Sequence, residues 1–95
     1  MTKQQRKRQS QFLMAALHGQ RLAAKELPDG YEILFPSDAS TLQLLAEWIG
    51  NERLCCPFFI FDIQLRKGIE PMILHISGPE GVKEFIRAEI PGIVG

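Results

Sequence analysis

The chain has 95 residues, 45% of them hydrophobic, and a formal net charge of zero. That length supports one hydrophobic core and not two, so residues 1–95 are expected to form a single domain of ordinary globular composition. No apolar run reaches the length that spans a bilayer; the longest, at 54–63, is interrupted by Pro57 and Asp62.

The opening segment "MTKQQRKRQSQFLMAALHG" is basic and then apolar, like the start of a secretory signal. Its apolar part, 12–17, is too short and no Ala-x-Ala site follows, so a cytoplasmic protein is expected. Residues 3–18 read as a helix within a basic unit 1–20, with Phe12, Ala15 and Ala16 at helical spacing and Gly19 as a stop. Lys3, Arg6, Lys7, Arg8 and Arg21 fall in the first 21 residues with no acid, whereas the rest carries six bases against eleven acids. Such a run suits a nucleic-acid arm or a basic helix lying on an acidic domain. The second is expected, because neither interleaved aromatics nor a recognition-helix pattern accompanies the charges.

Pro28-Asp29-Gly30 is turn chemistry between two extendable runs, which predicts a hairpin of about 21–27 and 31–36. Tyr31, Ile33 and Phe35 share one face of its second strand. "SDASTLQLLAEWIGNERL" is the clearest helix, capped by Ser37 or Asp38, with Leu42, Leu45, Trp48 and Ile49 on one stripe. Gly50 and Asn51 weaken it, and Pro57 forbids its continuation.

"FFIFDIQLRKGIEPMILHIS" reads as a second hairpin turning near Lys67-Gly68. Phe59, Phe61, Ile63 and Leu65 alternate with Phe58, Ile60, Asp62 and Gln64, and Met72, Leu74 and Ile76 alternate with Ile73 and His75. A last helix follows, with Pro79 at its first position and Val82, Phe85, Ile86 and Ile90 inward; "PGIVG" is a stop and a tail. The order α-ββα-ββα, with units 21–54 and 57–90 after the extra N-terminal helix, predicts an α+β two-layer sandwich on a four-stranded, mostly antiparallel sheet. The halves also match faintly at an offset of 40, where Ile33/Ile73, Leu34/Leu74 and Ser37/Ser77 coincide.

Leu34, Phe58, Ile60, Ile73 and His75 would line the sheet face away from the two later helices, a set too apolar to leave wet. Either the N-terminal helix covers that face, or a homodimer forms through it or through exchanged N-terminal helices.

Only two cysteines occur, adjacent, in "ERLCCPFFIF". Neighbouring alpha carbons lie about 3.8 Å apart, below the usual disulfide range that begins near 4.4 Å, so a disulfide between them would be strained. A closed zinc site asks for four spaced ligands, and two thiols with His18 and His75 do not provide that spacing. Adjacent thiolates can instead serve a soft ion, if a bend before Pro57 turns both sulfurs to one side. Glu52, within a turn of Cys55, and His75 are the supporting candidates, with mercury, arsenite, copper or zinc as the ion. The plain alternative is that both thiols pack as small hydrophobes in a structural or homodimerising domain. A third reading, a Cys-His enzyme, meets the objection that a helix C-terminus disfavours a thiolate; neither a catalytic triad nor a phosphate loop is recognisable.

"NERLCCPFFIFDIQL" followed by "LHISGPEGVKEFI" resembles a small bacterial family built around E-R-x-C-C-P-F and a downstream S/T-G-P-E-G-V-K-E-F. Similar segments are associated with mercury- and heavy-metal-responsive regulators. The likeness covers about residues 51–86 and matches Glu52, Arg53, Cys55, Cys56, Pro57 and Phe58, then Gly78, Pro79, Glu80 and Gly81. It implies a heavy-metal or thiol role for the first group and a structural turn for the second. No helix-turn-helix accompanies them, so the chain is not expected to act as a regulator by itself.

Overall fold

A computed structural model describes residues 2–94. A helical run opens the chain: α1 (Lys3–Lys7), a π-helical stretch (Arg8–Leu13) and α2 (Met14–Gln20). Two strands follow, β1 (Ala23–Leu27) and β2 (Gly30–Phe35), then α3 (Ala39–Cys55). A second pair, β3 (Ile60–Gln64) and β4 (Met72–Ser77), precedes α4 (Val82–Glu89) and α5 (Pro91–Val94). This is the α+β arrangement expected from the alternation of the sequence.

The sheet order is β1-β2-β4-β3, with every neighbouring pair antiparallel. The two central strands set Tyr31 opposite Ile76, Ile33 opposite Leu74 and Phe35 opposite Met72. All six of those side chains are buried. The period-2 alternation therefore puts these six residues on one face, where the helices pack, and turns Leu34 and Ile73 to the other. Trp48, Leu45, Val82, Ile86, Leu13 and Leu17 close the core from above.

Each helix begins where its sequence allows. Thr2 forms a reciprocal capping box with Gln5, its hydroxyl accepting the Gln5 N–H at 3.1 Å. Asp38 caps α3 by accepting the Thr41 N–H at 2.8 Å. α4 starts later than expected. Pro79 lies in a turn whose carbonyl accepts the Val82 N–H, and Gly81, at φ +90°, occupies the N-cap in a left-handed conformation that favours glycine.

Two further expectations are corrected. The buried face of the N-terminal run is Gln9, Leu13 and Leu17, not Phe12, Ala15 and Ala16; Phe12 is 52% exposed, with the Arg8 guanidinium stacked over its ring. A four-residue spacing drifts around an ordinary α-helix, and the wider turn of the π stretch offsets that drift. "PGIVG" is not a tail. Pro91 opens α5, which packs on α2 and α4, and Ile93 is fully buried. Arg21 ties that end down by donating to the Ile93 carbonyl at 2.9 Å.

The N-terminal run packs against α3 and α5 on the core side of the sheet and does not cover the other face. Leu34, Ile73 and His75 stay half-buried there, and Ile60 is 55% exposed. Arg8 forks onto Glu47 of α3, with Nη2 2.9 Å from Oε1, so part of the basic run does lie on an acidic residue of its own chain. Among the described residues, no helix is long and apolar enough to cross a membrane.

Candidate functional site: the C-terminal end of α3

Helix α3 does not stop before the cysteines. It passes through Gly50 and Asn51, ends on Cys55, and has Cys56 as its C-cap. The expectation that both cysteines follow the helix is corrected accordingly. Pro57 then forces a turn instead of a direct extension into β3. The Cys56 N–H donates to the Glu52 carbonyl at 2.7 Å, and the Cys56 carbonyl accepts from the Phe59 N–H at 3.2 Å. Both backbone groups of Cys56 are thus fixed, and the chain bends between the cysteines and the strand.

That bend answers the geometric objection to the pair. Along a continuous strand the two sulfurs would diverge; at a helix end the Cys55 thiol is near enough to help raise the Cys56 pKa. Cys55 is exposed and Cys56 is buried, 3% exposed, against the core that contains Phe59. The Cys56 thiol is pushed up to about 12, chiefly by burial, then by its hydrogen bond with Cys55 and by the neighbouring Glu52 and Glu89 carboxylates. At neutral pH Cys56 is therefore a protonated thiol. That removes it as a nucleophile of the kind a Cys-His enzyme needs.

Beneath the cysteines lies a buried polar group that the sequence did not reveal. Gln9, delivered by the π stretch, donates through Nε2 to the Trp48 carbonyl at 2.7 Å and to Glu52 Oε1 at 3.0 Å. Its own Oε1 accepts from Asn51 Nδ2 at 3.1 Å. Gln9 is 4% and Glu52 is 6% exposed. Burial raises the Glu52 pKa, the Gln9 hydrogen bond opposes the rise, and Glu89 adds to it. A glutamine within a Gln- and Arg-rich segment reads as solvent-facing, so no signal short of the helix register could have found it.

The sign of the Glu52 shift makes a prediction. A carboxyl whose pKa is raised by folding contributes most below its ordinary pKa, and that contribution is lost as pH rises through the folded value. Glu52→Gln keeps an oxygen for Gln9 to donate to and removes the buried charge. It is expected to raise unfolding stability at pH 7 by about 1 kcal/mol. The gain should vanish as pH falls below the ordinary carboxylate range, which urea unfolding at several pH values will measure. A Gln variant less stable at pH 7 would contradict this account of the charge.

The structure gathers Glu52, Cys55 and Cys56 in one turn and places His75 elsewhere. His75 points from β4 to the open sheet face, where its Nε2 meets Glu32 Oε1 at 2.8 Å. Strand parity already separates it from the core in which Cys56 is buried. Among the described residues, no group of three or more His, Cys, Asp or Glu side chains is placed to hold a metal ion. What the site offers is two sulfurs, one open to solvent and one inside, beside a buried carboxyl. Comparison of the chain with protein-family models, with curated proteins and with solved structures finds no match, so the chemistry of these residues carries the functional reading.

Proposed function

We propose that the chain is a small binding module for a thiophilic ion, mercury(II) or trivalent arsenic, held by Cys55 and Cys56. The supporting observation is the turn at the end of α3, which carries two adjacent thiols at one helix end, one exposed and one buried, beside the buried Glu52. Soft ions favour sulfur, and a low-coordinate one needs no third donor. The heavy-metal association of the segments that residues 52–58 resemble points the same way.

The order of events follows from exposure. Cys55 meets the incoming ion first and Cys56 closes on it, each sulfur losing its proton as its bond to the ion forms. Cys56 must surrender a proton at any pH below about 12, so affinity rises with pH and weakens in acid. Displacing that proton also relieves the burial of a site that would reject a bare thiolate, because the ion neutralises the charge.

The test is a mercury(II) titration of reduced protein against a competing small thiol, beside Cys55→Ser/Cys56→Ser. One ion per chain, retained under competition, weakening as pH falls and absent from the variant, is the expected result. Equal retention by wild type and variant would leave the cysteines as packing residues only.

A further inference from the structure

The two edges of the sheet are built differently. On β1 the edge residues are Ala23, Ala24, Lys25 and Glu26, and Glu26 is engaged by Lys83 at 2.7 Å and Arg87 at 3.4 Å. Short side chains and charges of this kind blunt an edge against pairing with another chain. On β3 the one charge is Asp62, and large apolar residues flank it. Ile60 is 55% and Ile63 41% exposed, Leu65 just beyond is 57% exposed, and neither a lysine nor a proline interrupts 60–64. A groove of about 440 Å³ runs beside the strand, lined by Ile49 and Arg53 of α3 with Phe59, Ile60, Phe61 and Ile63.

Independently of the thiol chemistry, we propose that β3 pairs antiparallel with β3 of a second copy of this chain, joining two four-stranded sheets edge to edge. The two-fold axis passes midway between the two Ile63 residues, perpendicular to the sheet, so both helical layers stay on one side. The occupant is argued from the strand itself, because its sequence complements its own reversal in this register. Ile63 meets Ile63 of the partner subunit, and Phe61 meets Leu65 of the partner subunit on the helical face. On the open face Asp62 meets Gln64 of the partner subunit and lies diagonal to Arg66 of the partner subunit. A register centred on Asp62 would oppose two carboxylates directly, and one centred on Gln64 would set Phe61 against a lysine. The Ile63 register avoids both; Asp62, Ile63 and Gln64 pair within the strand, and Leu65 and Arg66 just beyond it extend the pairing to Phe61 and Ile60. Unpaired backbone N–H and C=O groups along the edge gain partners, and the exposed isoleucines leave water.

Sedimentation velocity of the full chain, with circular dichroism to verify folding, tests this. The wild type is expected to sediment as a dimer, Ile63→Lys as a folded monomer, and Ile73→Lys, on the open face, still as a dimer. Because a lysine in the strand can also cost folding, a second variant is paired with it. Ile63→Cys in the Cys55→Ser/Cys56→Ser background should cross-link under mild oxidation, since alpha carbons of directly opposed antiparallel residues lie about 4.5–5.5 Å apart, inside the disulfide range. Ile73→Cys in the same background should not. A wild type that stays monomeric at every concentration overturns the proposal. So does a dimer lost in Ile73→Lys but kept in Ile63→Lys, or the absence of an Ile63→Cys cross-link.

Discussion

Gly30→Ala is expected to destabilise the protein by about 3 kcal/mol or more, the upper end of what overpacking costs. Gly30 opens β2, opposite Ser77 of β4. A β-carbon built there would lie 1.8 Å from the Ile76 carbonyl oxygen and 2.8 Å from both Ile76 C and Ser77 Cα. All three are backbone atoms of the neighbouring central strand, so no side-chain rotation relieves the clash. The sheet must open at that end, and the adjoining Tyr31–Ile76 pair lies directly on the core. Gly50→Ala is the matched control. Gly50 sits inside α3 with nothing within 4 Å of the new atom, so alanine should stabilise by about 0.8–1 kcal/mol through helix propensity. Urea unfolding of the two variants should move the midpoint in opposite directions. A Gly30→Ala midpoint equal to the wild type's would show that the close approach of β2 and β4 does not exist.

Trp48→Ala is the second large effect, at about 3–5 kcal/mol. Trp48 is fully buried on the core face of α3, edge-on to Phe61 at 6.0 Å between ring centroids. Phe61 leads on through Phe59 to Phe85 and Phe58, so the indole anchors one end of an aromatic chain that joins α3, β3 and α4. Against a typical total stability of 5–15 kcal/mol, that loss leaves a marginal protein. The indole N–H has no acceptor among the described residues. Trp48→Phe therefore sheds an unsatisfied donor while keeping an aromatic ring, and should cost far less than alanine. Thermal unfolding followed by circular dichroism separates the two, and equal losses would place the indole outside the core.

These effects depend on an architecture that was largely legible in the residues. Strand alternation correctly separated Tyr31, Ile33 and Phe35, and Met72, Leu74 and Ile76, from their outward neighbours, because a period of two leaves a residue only two faces to choose from. The cap at Asp38 was legible for a similar reason, since few side chains can satisfy an orphan N–H.

What failed was where tertiary packing decides. Phe12 is the most conspicuous apolar residue of the N-terminal run, yet the π stretch turns it outward and turns Gln9 in, which local spacing does not encode. Ile93 is buried because α2 and α4 leave room for it, not because "PGIVG" has any helical pattern. The faint repeat at offset 40 shows the same limit. It aligns inward Ile33 with outward Ile73, whereas the inward residues of β2 and β4 correspond at 41, as Tyr31 to Met72 and Ile33 to Leu74. The repeated order of elements was informative; the coincident letters were not.

The candidate site was legible in its residues and not in its geometry. Two adjacent cysteines are visible to any reader, but that the helix weakened by Gly50 and Asn51 runs on to Cys55, with Cys56 as its C-cap, was not. His75 entered the expected donor set by residue type, although the strand parity that places it on the open face was already readable.

Phenylarsine oxide tests the central proposal most directly, because it reports whether two thiols of one chain reach one atom. Its oxygen leaves as water with both thiol protons while two As–S bonds form, so the reagent closes a ring only on converging sulfurs. Intact-protein mass spectrometry under a competing monothiol should show one phenylarsenic per chain in the wild type, with both cysteines protected from alkylation. Cys55→Ser and Cys56→Ser should each lose it. A wild type that sheds the reagent as readily as the single variants, or an adduct that bridges two chains, would contradict a dithiol site at the end of α3.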